Sequence, residues 1–421
     1  MTSAGLCLLS FRAGMHGIAP FSALASAMER DLRENILPFW MNRVPDETHG
    51  GFLGYLADDG AVDPAGPKGG VLNARILWTF ATAFRRYGDP AYRDAADRAL
   101  SSLLGHFWDE THGGIYWMLD HEGRPLSDRK QTYALAFALY ALAEYHRATG
   151  SDEAVDRAVR LFRSIEEHAT DPVHGGYWEA RARDWTPLED VRLSEKDRNS
   201  PKSMNTHLHV MEAYTNLLGV WEGEGLRDRL RALVEIHLER IVDPVSGHLL
   251  LFFDEKWRPL DGAVSFGHDI EAGWLLVEAA DVLGDAGLRE ESAGVAEKIT
   301  RVALAAGFDR EHGGVFAERD DGGPLDDEKH WWMQAEAIVG FVNAWELTGD
   351  EAFLEAAEST WRFVDRFLID RTYGEWRWRV ARDGSAIPGL PKVEPWKCPY
   401  HNSRAALEVV ERAGRRANEG G

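Results

Sequence analysis

Cysteine is almost absent. Cys7 and Cys398 are the only two in 421 residues, which excludes a disulfide framework and a thiolate metal cluster. Basic residues are in deficit, 47 Lys and Arg against 69 Asp and Glu, a formal net charge of −22. Nucleic-acid binding needs a basic footprint and an anionic membrane surface attracts one, so both are excluded as partners. No stretch is long and apolar enough to span a bilayer. Neither a His-Glu-x-x-His motif nor an Asp-rich cation loop occurs, so no catalytic metal is expected. Met1 to Gly17 holds a short apolar run, Leu6-Cys-Leu-Leu9, but no basic segment precedes it and Arg12 follows. That order is wrong for a signal peptide. Residues 1–20 read as a disordered tail, or as a stretch ahead of a start at Met15, and the expected compartment is the cytoplasm.

What the chain does have is a recurring signal. Six times an Asp closes an apolar stretch, a glycine turn follows, and an apolar or aromatic residue opens an extended run. The copies are Asp46-Glu-Thr-His-Gly-Gly51-Phe, Asp109-Glu-Thr-His-Gly-Gly114-Ile, Asp171-Pro-Val-His-Gly-Gly176-Tyr, Asp243-Pro-Val-Ser-Gly247-His-Leu, Asp309-Arg-Glu-His-Gly-Gly314-Val and Asp370-Arg-Thr-Tyr-Gly374-Glu-Trp. They stand roughly 60 to 70 residues apart, the mark of a repeat architecture. The glycines suit positive φ, and the turn histidines His49, His112, His174 and His312 read as structural.

Each interval has the same plan. A hairpin-like stretch comes first, then a helical one, then a short break such as Asp89-Pro90, which suits an N-cap followed by Pro at N1. A second helix runs on to the next Asp. The helices that precede each signal cover about 22–43, 90–108, 152–168, 225–242, 287–306 and 351–368. Those that follow cover about 70–88, 129–149, 203–221, 266–284, 328–348 and 400–416. The following set is the more apolar, as in Leu135 to Leu142, and should form an inner ring. The preceding set alternates charge like a half-solvated outer ring. Six helical hairpins predict an all-α fold, an (α/α)6 barrel closed as a double ring with short β-hairpins at one end. It would be a single domain over 21–418. An open α-solenoid is the competing architecture.

The unusual polar residues share one phase, the first turns of the inner helices. They are Arg75, Tyr133, His207 with His209, His268 with Glu271, Glu336 behind Trp331 and Trp332, and His401 with Arg404. In a closed ring these starts converge on one pocket. One histidine near a helix start is commonly a cap or packing residue; four in one phase point to chemistry. His207 and His209 are two positions apart, about 200° around the helix, so they cannot chelate one ion. Imidazole accepts and returns a proton near neutral pH. Two of them across a flat intermediate suit epimerisation or isomerisation beside a carbonyl, as at C2 of a ring-opened aldose. Arg75 suits the oxygens of the enediolate. A glycoside hydrolase would instead need two carboxylates flanking the bond, for which Glu271 and Glu336 are available. A non-catalytic sugar-binding toroid has no use for two bases. The 16 Trp supply flat faces for sugar rings.

Five stretches carry a resemblance: Pro67 to Trp78, Ser203-Met-Asn-Thr-His207-Leu-His209, Ser265-Phe-Gly-His268-Asp-Ile-Glu271, His330-Trp-Trp-Met-Gln-Ala-Glu336 and Trp396-Lys-Cys-Pro-Tyr-His401-Asn. Through them the chain resembles the N-acylglucosamine 2-epimerase superfamily from about Arg30 to Val410. Within it the nearest likeness is to the enzymes that epimerise β-1,4-linked disaccharides such as cellobiose and lactose. Cys398 and Met333 depart from the pattern. The resemblance implies an (α/α)6 barrel, no cofactor, and deprotonation and reprotonation at C2 of the reducing-end glucose. It puts the acid/base pair on His268 and His401, and ring opening or orientation on His209. It puts sugar contacts on Arg75, Tyr133, Asn205 and Glu271, and aromatic ring-holding on Trp331, Trp332 and Trp396. His207 and Glu336, taken from their phase, complete the expected substrate contacts. Sister activities on N-acylhexosamines or mannose remain open.

Overall fold

The computed structural model describes residues 18–223 and 225–419. The tail expected over 1–20 therefore lies, up to residue 17, outside the described residues, and so does Met15. From Ile18 the chain is already helical.

The outer set of helices is α1 (Ile18–Asp31), which runs through a π-turn at Leu32–Ile36 into α2 (Leu37–Asn42), then α4 (Pro90–Ser102), α6 (Asp152–His168), α8 (Leu226–Ile236), α10 (Ala286–Ala306) and α12 (Glu351–Phe363). The inner set is α3 (Gly70–Tyr87), α5 (Thr132–Thr149), α7 (Met204–Leu218), α9 (Phe266–Leu283), α11 (Trp331–Thr348) and α13 (Tyr400–Glu419). Local chemistry sets the ends. Asp89, Ser151, Asp285 and Asp350 accept backbone N–H groups as N-caps of outer helices. Gly88, Gly150, Gly284 and Gly349 close inner helices with φ between 66° and 73°, where a side chain would be strained. Three outer helices end in π-turns, Leu103–Phe107, His237–Ile241 and Val364–Leu368, each stopping two residues before its Asp. Nothing in the apolar spacing announced them.

Burial separates the two sets as expected. Leu135 to Leu142 are buried on every side, whereas α6 buries one stripe, Ala154, Ala158, Leu161, Phe162 and Ile165. Each inner helix packs on the next, α3 on α5, α5 on α7, α7 on α9, α9 on α11 and α11 on α13. The sixth, α13, packs back on α3. An open solenoid has no such last contact.

The hairpins are stitched in the same order. The two residues before an inner helix pair antiparallel with the next repeat's hairpin: Lys68–Gly69 with Met118–Leu119, Lys130–Gln131 with Ala180–Arg181, Lys202–Ser203 with Phe252–Phe253, Val264–Ser265 with Glu318–Arg319 and Lys329–His330 with Arg379–Val380. A bridge from Leu56 to Val393 joins the first hairpin to the last.

The repeated Asp has a second partner besides its turn. Asp46, Asp171 and Asp370 each use Oδ1 to accept the backbone N–H two and three residues on. Their Oδ2 accepts from a buried lysine, Lys68 at 2.7 Å, Lys202 at 2.7 Å and Lys392 at 2.9 Å. Lys130 with Asp109 and Lys329 with Asp309 repeat the pair. Four of these lysines also donate to a glycine carbonyl of the same turn, as Lys68 does to Gly50. Asp, glycines and lysine therefore form one clamp. The fourth repeat lacks it, because Val264 holds the lysine's position.

Candidate active site

The second and sixth residues of an inner helix lie four apart, one above the other on the same face. On that face the structure gathers Tyr133, Asn205, Trp332 and His401 as second residues, and Arg75, His209 and Glu271 as sixth. With His268, Trp331 and Trp396 they line one cavity of about 360 Å³. A second cavity of about 480 Å³ adjoins it and shares Lys196, Asn205, His268, His330 and Arg379.

The three histidines differ in what stands behind them. His401 Nδ1 lies 2.7 Å from Glu336 Oε1, and His209 Nδ1 lies 2.8 Å from Glu212 Oε2. An ionised carboxylate only accepts, so each ring carries its proton on Nδ1 and turns a lone pair outward on Nε2. His268 Nδ1 rests on a hydroxyl instead, Ser265 Oγ at 2.8 Å. Burial pushes the pKa of His268 down to about 3. Burial, then the positive Arg75 and Arg404, hold His401 well below the usual imidazole range. Both rings are neutral in the free site. Trp332 packs against both, its indole centroid 4.7 Å from the His268 ring and 5.6 Å from that of His401.

Arg75 donates to Tyr133 Oη at 2.8 Å and to Cys398 Sγ at 3.7 Å, and its guanidinium lies 4.2 Å above the Phe137 ring. Burial raises the Tyr133 phenol, so it stays a donor. Beneath the cavity Arg404 is packed among three buried carboxylates. It reaches Glu271 at 2.5 Å and Glu336 at 2.6 Å, and contacts Glu212 and Tyr400 Oη as well. Glu271, Glu336 and His401 are also the buried group, among the described residues, that offers metal-type ligand atoms. The Arg404 guanidinium already occupies the space between those carboxylates and supplies the positive charge there.

Two expected substrate contacts are corrected. His207 is the fourth residue of α7 and faces away from the cavity. Its Nε2 accepts from Tyr177 N at 2.8 Å, and its Nδ1 lies 2.7 Å from Ser203 O. Asp269 and Gln334, also fourth residues, accept from Leu249 N and Val315 N in the same way. His207 thus ties its helix to the residue after a glycine turn. Glu336 lies behind His401 and does not line the cavity.

Sequence reasoning missed Glu212, which the i, i+3 spacing from His209 could have suggested. It also missed Trp378, Lys196, Arg379 and Leu390, which reach the cavity from hairpins. Trp378 packs edge-on against Trp331 at 5.5 Å.

Residues 50–405 match the family profile described as N-acylglucosamine 2-epimerase (GlcNAc 2-epimerase). The cellobiose 2-epimerase of Bacteroides fragilis is 45% identical over 387 residues, 92% of this chain and 98% of that protein. The cellobiose 2-epimerase of Dictyoglomus turgidum is 39% identical over 92% of this chain and 98% of its own length. The solved structure of cellobiose 2-epimerase from Spirochaeta thermophila superposes with a TM-score of 0.86 at 41% identity, covering 94% of this chain and 98% of that one. The chain belongs to the N-acylglucosamine 2-epimerase family.

Proposed function

We propose that this protein is a cofactor-independent isomerase that inverts C2 of the reducing-end glucose in β-1,4-linked disaccharides. Its helices form an (α/α)6 barrel, with α3, α5, α7, α9, α11 and α13 as the inner ring. The observation that carries the reading is the pair of neutral imidazoles, His268 and His401, set against one indole in a cavity walled by tryptophans. The similarity to cellobiose 2-epimerases over nearly the whole chain supports it.

The chemistry follows from the donors. The ring-opened sugar places its C1 carbonyl against Arg75 and Tyr133, which donate to the oxygens as negative charge develops there. One imidazole takes the C2 proton through Nε2, leaving a planar enediolate. The other ring, having taken up an extra proton from water once the sugar is bound, gives that proton to the opposite face and is left neutral, and the first ring's proton exchanges back to water between turnovers. Neutrality before reaction is what lets the first ring act as a base. Asn205, whose Oδ1 has no partner among the described residues, is placed for a sugar hydroxyl. Trp331, Trp332 and Trp396 offer faces for the two sugar rings.

Glu271 and Glu336 do not suit a glycosidase. Both reach the same Arg404 nitrogen, and Glu336 is screened by His401. They do not flank a bond. The test is incubation with cellobiose in heavy water, followed by NMR. A mannose-ended epimer with deuterium at C2 is expected. Free glucose, or N-acetylglucosamine or mannose as the better substrate by tenfold, would overturn the reading.

A further inference from the structure

Arg404 carries one positive charge, and three buried carboxylates converge on it: Glu212, Glu271 and Glu336. Among side chains this buried, that surplus of negative charge is neutralised by protons, because like charges this close do not all ionise. The hydrogen bonds show which carboxylate is left to hold one. Glu212 accepts from Arg404, Tyr400 Oη and His209 Nδ1. Glu336 accepts from Arg404, from His401 Nδ1 and from Trp274 Nε1 at 3.1 Å. Glu271 has Arg404 alone. His401 Nδ1 is 4.0 Å from its Oε1, and among the described residues nothing reaches its buried Oε2. Yet Glu271 lines the cavity, beside His209 of the neighbouring helix.

We propose that Glu271 rests as the neutral acid and is the proton donor that opens the pyranose ring. The inference rests on the sugar-epimerase reading, since C2 becomes acidic only once C1 is a carbonyl. Glu271 Oε2–H gives its proton to the ring oxygen as the bond from C1 to that oxygen breaks. His209 Nε2 takes the proton from the C1 hydroxyl as the C1 carbonyl forms. Glu271 is then a carboxylate on Arg404 and His209 an imidazolium on Glu212, so no outside acid or base is consumed. Burial first, then the Glu336 charge, raise the Glu271 pKa to about 7, against the lowering by Arg404 and His209.

Enzyme-catalysed ring opening exchanges the α and β anomers, which NMR exchange spectroscopy reads on cellobiose without any epimerisation being needed. Glu271→Gln keeps the shape and an N–H toward the cavity but has no proton to transfer. We expect it to bind the open-chain alditol of cellobiose as wild type does, while anomer exchange falls by about 10²-fold, the usual scale of a general acid. Exchange retained within about threefold overturns the proposal. If Glu271→Gln does not bind the alditol, infrared spectra of wild type and Glu271→Asp decide. A protonated-carboxyl band at neutral pH that moves with the substitution supports the proposal, and a spectrum without such a band overturns it. Wild type that exchanges anomers through Glu271 but makes no epimer would sink the proposed function and leave this inference standing. Epimer formed with exchange indifferent to residue 271 would do the reverse.

Discussion

Replacing Glu336 by Gln tests whether a carboxylate that never touches the sugar governs its turnover. All three neighbours of Glu336 are donors: His401 Nδ1, Arg404 Nη2 and Trp274 Nε1. A glutamine amide can turn its oxygen to His401 and Arg404, but its NH2 then meets the indole N–H. One buried donor is left unsatisfied, which costs about 1–3 kcal/mol of stability. The catalytic effect is separate. When His401 carries the extra proton, its 2.7 Å bond to Glu336 joins two ions, a contact of about 1.5–3 kcal/mol. At about 1.4 kcal/mol per tenfold, losing it slows turnover by about 10- to 10²-fold. Sugar binding changes little, because Glu336 lies outside the cavity lining. The imidazolium of His401 is also less favoured, so the limb of the rate profile that needs it moves to lower pH. The assay is kcat and KM for cellobiose across pH, with thermal unfolding in parallel. A kcat within threefold of wild type and an unmoved profile would refute the reasoning. So would a loss confined to KM.

Two further outcomes follow from the buried charges. Lys202→Met leaves Asp171 buried without its ion pair, and removing one partner of such a pair costs about 3–5 kcal/mol. Denaturant unfolding should show that loss, and a change below about 1 kcal/mol would show that the clamp is not a stabilising pair. Glu179 and Glu271 are both raised by burial from about 4.5 to about 7. Groups raised on folding give stability that is full below pH 4.5 and is lost as pH rises through 7. Unfolding free energy should therefore fall over that window, by about 1.4 kcal/mol per pH unit for each group. Glu271→Gln should flatten the slope, and an unchanged slope would contradict the assignment.

The fold was legible where the sequence repeats itself. Six glycine turns, apolar periodicity and Asp-Pro or Gly ends were enough for the helix pairs and their inner and outer roles. The boundaries slipped where strands two residues long, such as Lys130–Gln131 and Lys329–His330, were read into the helices after them. Two residues carry no period. The clamp was hidden for another reason. Lysine is ordinarily a surface residue, and only its place two residues before each inner helix marks Lys68, Lys130, Lys202 and Lys329 as different. In the site, helical phase put Arg75, Tyr133, His209, Glu271 and His401 on one face, and all five line the cavity. It should also have separated His207 from His209, since 200° around a helix keeps both from facing one cavity as surely as it keeps both from one ion. Arg404 was seen in phase with His401, but its carboxylate partners come from α7, α9 and α11. No local pattern connects residues so far apart in sequence.

Among the inner helices α13 has a place of its own. It closes the circuit between α11 and α3, and it carries both His401 and Arg404. A chain emerging from the ribosome has made five of its six inner helices, and every other histidine of the site, before either residue exists. Ring closure and chemical competence therefore arrive together. A shortened or half-assembled chain lacks one of the two proposed bases and the cation among the three carboxylates, so on the proposed mechanism it is inert rather than sluggish. On that mechanism, synthesis order itself would keep unfinished molecules from acting on the sugar.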